Sequence, residues 1–176
     1  DKLRGFESSV KAMGSPAKGA PQKANAGGGL TLAAVVEAHD DEREGHGRAL
    51  KLLEDHPDLA GIYVSTVNSL PVLRAVEEAG RLRDLRVVTT DLFPELVEWI
   101  RAGNVAATVY QRPLSQGRLA LHALYQFLVD GTCPPPRIKV VPHVVMRSNL
   151  DLFLERLSVE SGGDAVKPIE RIDAIS

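Results

Sequence analysis

Residues 85–117 read LRVVTTDLFPELVEWIRAGNVAATVYQRPLSQG. Two short apolar runs, Val87-Val88 and residues 105–109, each lead to a polar side chain, Asp91 and Gln111. A proline follows each within three residues, Pro94 and Pro113, and opens a helical pattern. Proline suits the first helical position, where its missing N–H has no intrahelical partner to lose. A parallel strand that feeds a helix delivers its last residue to the rim of the sheet. Open α/β folds bind ligands at that rim, outside the carboxyl ends of the strands. Asp91 and Gln111 are therefore the first two candidate binding residues.

The same rhythm extends in both directions. Buried strands are expected at residues 30–36, 61–64, 85–88, 105–110 and 138–145. Helices are expected at residues 47–54, 70–79, 94–102, 113–129 and 150–157, where apolar residues recur every three or four positions. Gly80, Gly103 and Gly131 fall just past three of these helices, as C-terminal glycines do. Gly117, Ala120, Leu121, Leu124 and Leu128 form one stripe of the longest helix. Pro142 inside the last strand argues for a sheet edge or a crossing out of the sheet. Leu3, Phe6, Val10 and Met13 mark a further helix at the start, and residues 14–29, rich in Gly, Ala, Pro and Lys, read as a flexible loop. Strands alternating with helices imply right-handed βαβ units. The expected fold is α/β, a doubly wound and mostly parallel sheet. Residues 1–157 form one lobe and residues 158–176 a tail.

Composition narrows the function classes. The 176 residues are 44% hydrophobic and 25% charged with a formal charge of −2, which lacks the basic footprint of a nucleic-acid-binding domain. A single cysteine, Cys133, excludes an intramolecular disulfide and a cysteine-rich metal site. No apolar run reaches the ~18 residues of a membrane span. There is no G-x-S-x-G elbow and no H-E-x-x-H, and Gly27-Gly28-Gly29 precedes a strand where phosphate-binding glycines follow one. No enzyme activity and no cofactor are expected; a sugar-modifying α/β hydrolase is the remaining enzymatic alternative.

Four segments carry a family resemblance: RGF at residues 4–6, VVTTDL at 87–92, ATVYQRPLSQG at 107–117 and VMRSNL at 145–150. Together they resemble the lac-repressor and ribose-binding-protein family, the type I periplasmic-binding-protein fold. The resemblance covers roughly residues 1–154. It implies a two-lobed sugar receptor of which this chain is the C-terminal lobe. It also implies a central strand ahead of Asp1, so that the five expected strands leave a gap in the middle of the sheet order. The function implied first is the sugar-sensing effector domain of a lac-repressor-family transcriptional regulator, cytoplasmic and homodimeric, reaching DNA only through a head domain absent from this chain. The alternative is a periplasmic sugar-binding protein of a transport system. In either case the partner is a small-molecule sugar or related polyol, without membrane contact.

By the resemblance, Asp91 matches the family's acceptor for sugar hydroxyls and Gln111 its amide on the next strand. Ser65 stands where the family usually has asparagine, with Thr66 or Asn68 as possible substitutes, and Lys2 stands where it usually has arginine. Each residue also has a plainer reading. A carboxylate accepts hydroxyl hydrogen bonds, but Asp91 also lies where it could cap the helix at Pro94. Gln111 both donates and accepts, but could simply face solvent before Pro113. His39, Asp40, Asp41 and His46 form a polar cluster read as a solvated loop, a sugar contact through Asp41, or a weak metal site. Trp99 and Tyr110 offer a stacking face or ordinary packing. Arg147 and Asn149 are expected where the chain crosses toward the other lobe, and Arg112, Arg118 and Arg137 at the solvated surface.

Overall fold

The structure, a computed structural model, describes Arg4, Gly5, residues 7–9 and residues 30–162. Its elements are α1 (Glu42–Asp55), β1 (Gly61–Tyr63), α2 (Leu70–Glu78), β2 (Arg86–Thr90), α3 (Pro94–Arg101), β3 (Ala107–Tyr110), α4 (Pro113–Asp130), β4 (His143–Val145) and α5 (Leu150–Gly162). The sheet order is β1-β2-β3-β4. The first two pairings are parallel and the last is antiparallel. The fold is therefore α/β with a mostly parallel sheet, and Pro142 lies just before the edge strand β4. The helix expected at the start is present where it is described: Arg4, Gly5 and residues 7–9 are helical. Lys2 and the loop expected at residues 14–29 lie outside the described residues, as do residues 163–176 of the expected tail.

Register fixes which side chains share a face. Ile62 pairs with Val87, Thr89 with Thr108, and Thr108 with Val145. This face is sealed: Val87, Thr89, Thr108 and Val145 are fully buried. Leu73 and Val76 of α2, Leu96 and Ile100 of α3, and Leu150 of α5 belong to the same core. The apolar positions of α2 and α3 recur at helical spacing, so each helix has one stripe to bury there. On the opposite face Val88 and Val109 are only half-buried and Val144 is exposed.

Two expectations fail here. Residues 30–36 form no strand, and Leu30, Val35 and Val36 are exposed. An apolar run becomes a strand only where a neighbour takes its backbone hydrogen bonds. The sheet ends at β1, and no described strand stands beside these residues. The second is the strand expected at residues 138–145: only His143–Val145 pair with β3, and Pro142, which has no N–H to donate, ends the pairing. The stripe on α4 also stays outside the core. That helix forms over eighteen residues yet buries none, and Leu121 and Leu128 are 69% and 70% exposed.

Helix α1 begins five residues before the expected start. Residues 42–46 contain no large apolar side chain, so their periodicity is silent. The helix starts where Asp41 accepts a hydrogen bond from the Glu44 N–H at 2.8 Å. An N-cap aspartate satisfies one of the otherwise unpaired first amides.

Candidate functional site

The carboxyl ends of β1, β2 and β3 lie side by side, and each hands its next residues to the same rim. Ser65 and Thr66 follow β1, Asp91 follows β2, and Gln111 follows β3. Adjacent strands stand ~4.8 Å apart, so these loops are immediate neighbours. Asn68 joins a fourth loop to the row by donating from Nδ2 to the Asp40 carbonyl at 3.0 Å.

Asp91 is the centre of the arrangement. Its N–H continues the ladder to the Val109 carbonyl at 2.9 Å. Its backbone then turns into the left-handed region, with φ of 66°. Aspartate tolerates this conformation better than most residues. Gln111 reaches both carboxylate oxygens: its backbone N–H donates to Oδ1 at 3.1 Å and its Nε2 to Oδ2 at 2.8 Å. The Thr108 hydroxyl donates to the Asp91 carbonyl. Gln111 is in turn held by Gln116, whose Nε2 donates to the Gln111 carbonyl at 2.6 Å. Both Asp91 and Gln111 are half-buried.

This geometry removes one of the two readings of Asp91. The cap of α3 is Phe93, in extended conformation and without a side-chain cap bond. The Asp91 carboxylate is therefore not a helix cap. Asp41 has the opposite outcome: its Oδ1 caps α1, so half of that carboxylate is committed to structure. Ser65 and Thr66 are exposed at the rim beside Asp91. Asn68 pins its loop through one Nδ2 hydrogen bond to the Asp40 carbonyl, which leaves its second N–H and its side-chain oxygen uncommitted.

The remaining candidates divide by what they touch. His39 pairs with Glu44 at 3.2 Å and His46 with Glu78 at 3.1 Å, so the two histidines serve separate partners. Among the described residues no group of three or more His, Cys, Asp or Glu could hold a metal ion. Trp99 and Tyr110 pack against the core, and Tyr110 stands edge-on to Phe153 with ring centroids 5.2 Å apart. Asn149 tightens the turn into α5, its Oδ1 accepting from the Met146 N–H and its Nδ2 donating to the Val144 carbonyl. Arg118 and Arg137 are exposed as expected, whereas Arg112 is half-buried and lines a cleft with Arg156 and His143. Sequence reading missed that grouping because its members come from three separate elements.

A mostly parallel sheet with polar residues gathered at its carboxyl rim is the architecture of α/β ligand-binding lobes. The chain belongs to the periplasmic binding protein domain family, which matches residues 5–132. It is 28% identical over 122 residues to the D-allose-binding periplasmic protein of Escherichia coli (strain K12), covering 66% of this chain and 39% of that protein. Its fold is similar to that of GanP, a glucose-galactose binding protein from Geobacillus stearothermophilus, with a TM-score of 0.70 and 24% identity over 85% of this chain and 48% of the other. It is also similar to an ABC transporter solute binding protein from Agrobacterium vitis bound with alpha-D-tagatopyranose, with a TM-score of 0.73 and 21% identity over 87% and 47% of the two chains. The chain spans about half the length of these relatives, or less. All three carry the name of binding proteins.

Proposed function

We propose that this chain forms one wall of a sugar-binding cleft in a periplasmic receptor serving a transporter. The observation that carries the reading is the placement of Asp91. A half-buried carboxylate stands at the carboxyl end of an interior parallel strand, in a left-handed backbone conformation, and is not spent on capping the adjacent helix. An ionised carboxylate offers about four lone-pair sites. Gln111 uses two, leaving two to accept sugar hydroxyls. Charge-assisted hydrogen bonds of this kind contribute about 1.5–3 kcal/mol each.

The ligand class follows the relatives, whose names specify D-allose, glucose and galactose, and tagatose. Their periplasmic and transporter names favour the receptor over the regulator, and the DNA-linked head domain, the homodimer and a cytoplasmic location leave with the regulator. In this reading residues 1–157 act as one lobe, residues 158–176 as a tail, and a second lobe supplies the opposite wall. Ser65, Thr66 and the free oxygen of Asp41 flank the sugar, and Lys2 supplies a cation. Ligand that binds only the native state raises its apparent stability. A thermal-shift screen of aldohexoses, ketohexoses and pentoses on the full-length protein, followed by calorimetric titration, tests the proposal. A saturable response to a monosaccharide supports it; no response across the panel by a folded full-length protein rejects it.

A further inference from the structure

At the same end of β3, a second set of side chains is left unused by the sugar reading. Tyr110, Arg112, His143, Phe153, Arg156 and Leu157 line a cleft of about 90 Å³. A single water needs only ~10–15 Å³ of such space, so the cleft has room for a group of several heavy atoms, a tetrahedral oxyanion included. We infer that it is an oxyanion subsite, built to take the phosphate or carboxylate group of a small molecule.

The elements explain why these residues meet. Tyr110 and His143 are register partners across β3 and β4. Phe153, Arg156 and Leu157 lie at i, i+3 and i+4 on α5 and therefore share one side of that helix. Phe153 stands edge-on to Tyr110 and tilted against His143, with ring centroids 5.2 and 5.7 Å apart, so one wall is a fixed aromatic surface. Arg112 enters from the turn between β3 and α4.

Charge and backbone then point to an anion. Among the described residues the lining holds two guanidinium groups and an imidazole, and no acidic side chain. Arg48 pairs with Glu44, and Arg101 with both Glu98 and Asp151. Among the described residues neither Arg112 nor Arg156 has a carboxylate partner. Arg112 is held in the left-handed conformation, φ 60° and ψ 55°. That costs roughly 1–2 kcal/mol in a residue without the short polar side chain of Asn or Asp. Such conformations persist where the surrounding structure enforces them, commonly at ligand-holding positions. Arg112 also caps α4 without a side-chain hydrogen bond, so the first amides of an eighteen-residue helix stay open and the positive end of its dipole adds to the field. Two guanidinium forks match the planar or tetrahedral oxygens of carboxylate and phosphate.

The test uses the full chain and does not pass through Asp91, so it stands or falls apart from the sugar reading. Inorganic phosphate is titrated at constant ionic strength against chloride, with amide shifts followed by NMR. The expected result is a saturable shift centred on residues 110–112, 143 and 153–157. Arg112→Gln with Arg156→Gln weakens it by about tenfold or more, Arg156→Lys weakens it less, and Arg118→Gln on α4 leaves it unchanged. Arg156→Gln alone changes an exposed side chain and keeps the test valid if the double variant fails to fold. D-Glucuronate and D-glucose 6-phosphate separate the sources. Tighter binding than inorganic phosphate marks the anion as a sugar substituent; equal or weaker binding marks a free anion. Identical responses to phosphate and chloride, or phosphate affinity untouched in Arg156→Gln and in the double variant, overturn the inference.

Discussion

One residue, Gln111, holds both oxygens of the Asp91 carboxylate, although twenty positions separate them. The link follows from strand register: Thr90 pairs with Val109, so each of the two residues emerges just beyond the last paired positions of adjacent strands. The consequence is a carboxylate with a fixed orientation before any ligand arrives. A preorganised acceptor loses less conformational entropy on binding than a freely rotating one. In the proposed sugar cleft, Gln111 acts through Asp91 and offers its own side-chain oxygen as a further acceptor.

Asp91→Ala removes the acceptor and also places alanine at a positive φ. In the full-length protein sugar affinity falls by more than tenfold, read by calorimetric titration. The chain is also destabilised, by about 2–4 kcal/mol, from the loss of both hydrogen bonds and the strained backbone. Asp91→Asn separates the effects, because asparagine tolerates the left-handed conformation. It unfolds closer to the wild type in urea, yet still binds sugar weakly. Wild-type affinity in folded Asp91→Asn would remove the carboxylate from the site.

Gln111→Glu keeps the shape and reverses the chemistry. The donor at 2.8 Å from Asp91 Oδ2 becomes a second carboxylate. Two carboxylates at that distance cannot both be ionised cheaply, and one pKa rises. A carboxyl whose folded pKa is raised stabilises the fold at low pH and loses that contribution as pH rises through the folded value. The variant is therefore less stable than wild type at pH 7, by roughly 1–3 kcal/mol, and the gap narrows toward pH 4. Urea midpoints across that range check it; a gap independent of pH would mean the pair does not form.

How far this site could be read from sequence depends on the kind of information each part needs. Asp91, Gln111 and the β2 to α4 succession were legible because apolar runs, prolines and terminal glycines are local signals. The capping of α1 was also written locally, in Asp41 and Glu44 three residues apart, a spacing that suits a capping box. Apolar periodicity could not find it, since Glu42, Arg43, Glu44 and His46 are polar. Residues 30–36 show the opposite failure. Their composition suits a buried strand, but strand formation depends on a neighbour that no local pattern specifies. The Arg112, His143 and Arg156 grouping was likewise invisible, because only the β3–β4 pairing and the packing of α5 bring it together.

Glu44 gives a pH-dependent prediction of its own. Its carboxyl lies below the ordinary carboxylate range, first because of the hydrogen bond to His39 and then because of Arg48. A carboxylate with a depressed folded pKa contributes stability that is complete above its unfolded value and is lost as pH falls through the folded value. Glu44→Gln should therefore lower the melting temperature at pH 7. The difference should fade below pH 4.5, the ordinary value, as the wild-type carboxyl takes up its proton. The effect is small, because the group is at the surface and solvent screens it. A difference that grows on acidification would contradict the assignment.

The uneven packing of the helices yields the last contrast. Leu96 of α3 is fully buried between the helix and the sheet, whereas Leu121 of α4 is 69% exposed. Leu96→Ala removes buried methyl groups and leaves a cavity, at a cost of about 2–5 kcal/mol. Leu121→Lys exchanges one solvated side chain for another on a helix that buries none of its residues, and changes stability by no more than about 0.5 kcal/mol. Chemical denaturation of this chain checks both. The same Leu121→Lys substitution made in the full-length protein tells whether additional sequence covers α4. A loss of 2 kcal/mol or more there, set against neutrality in this chain, shows that the stripe is buried in the longer protein. Equal neutrality in both shows that α4 keeps its apolar face in solvent.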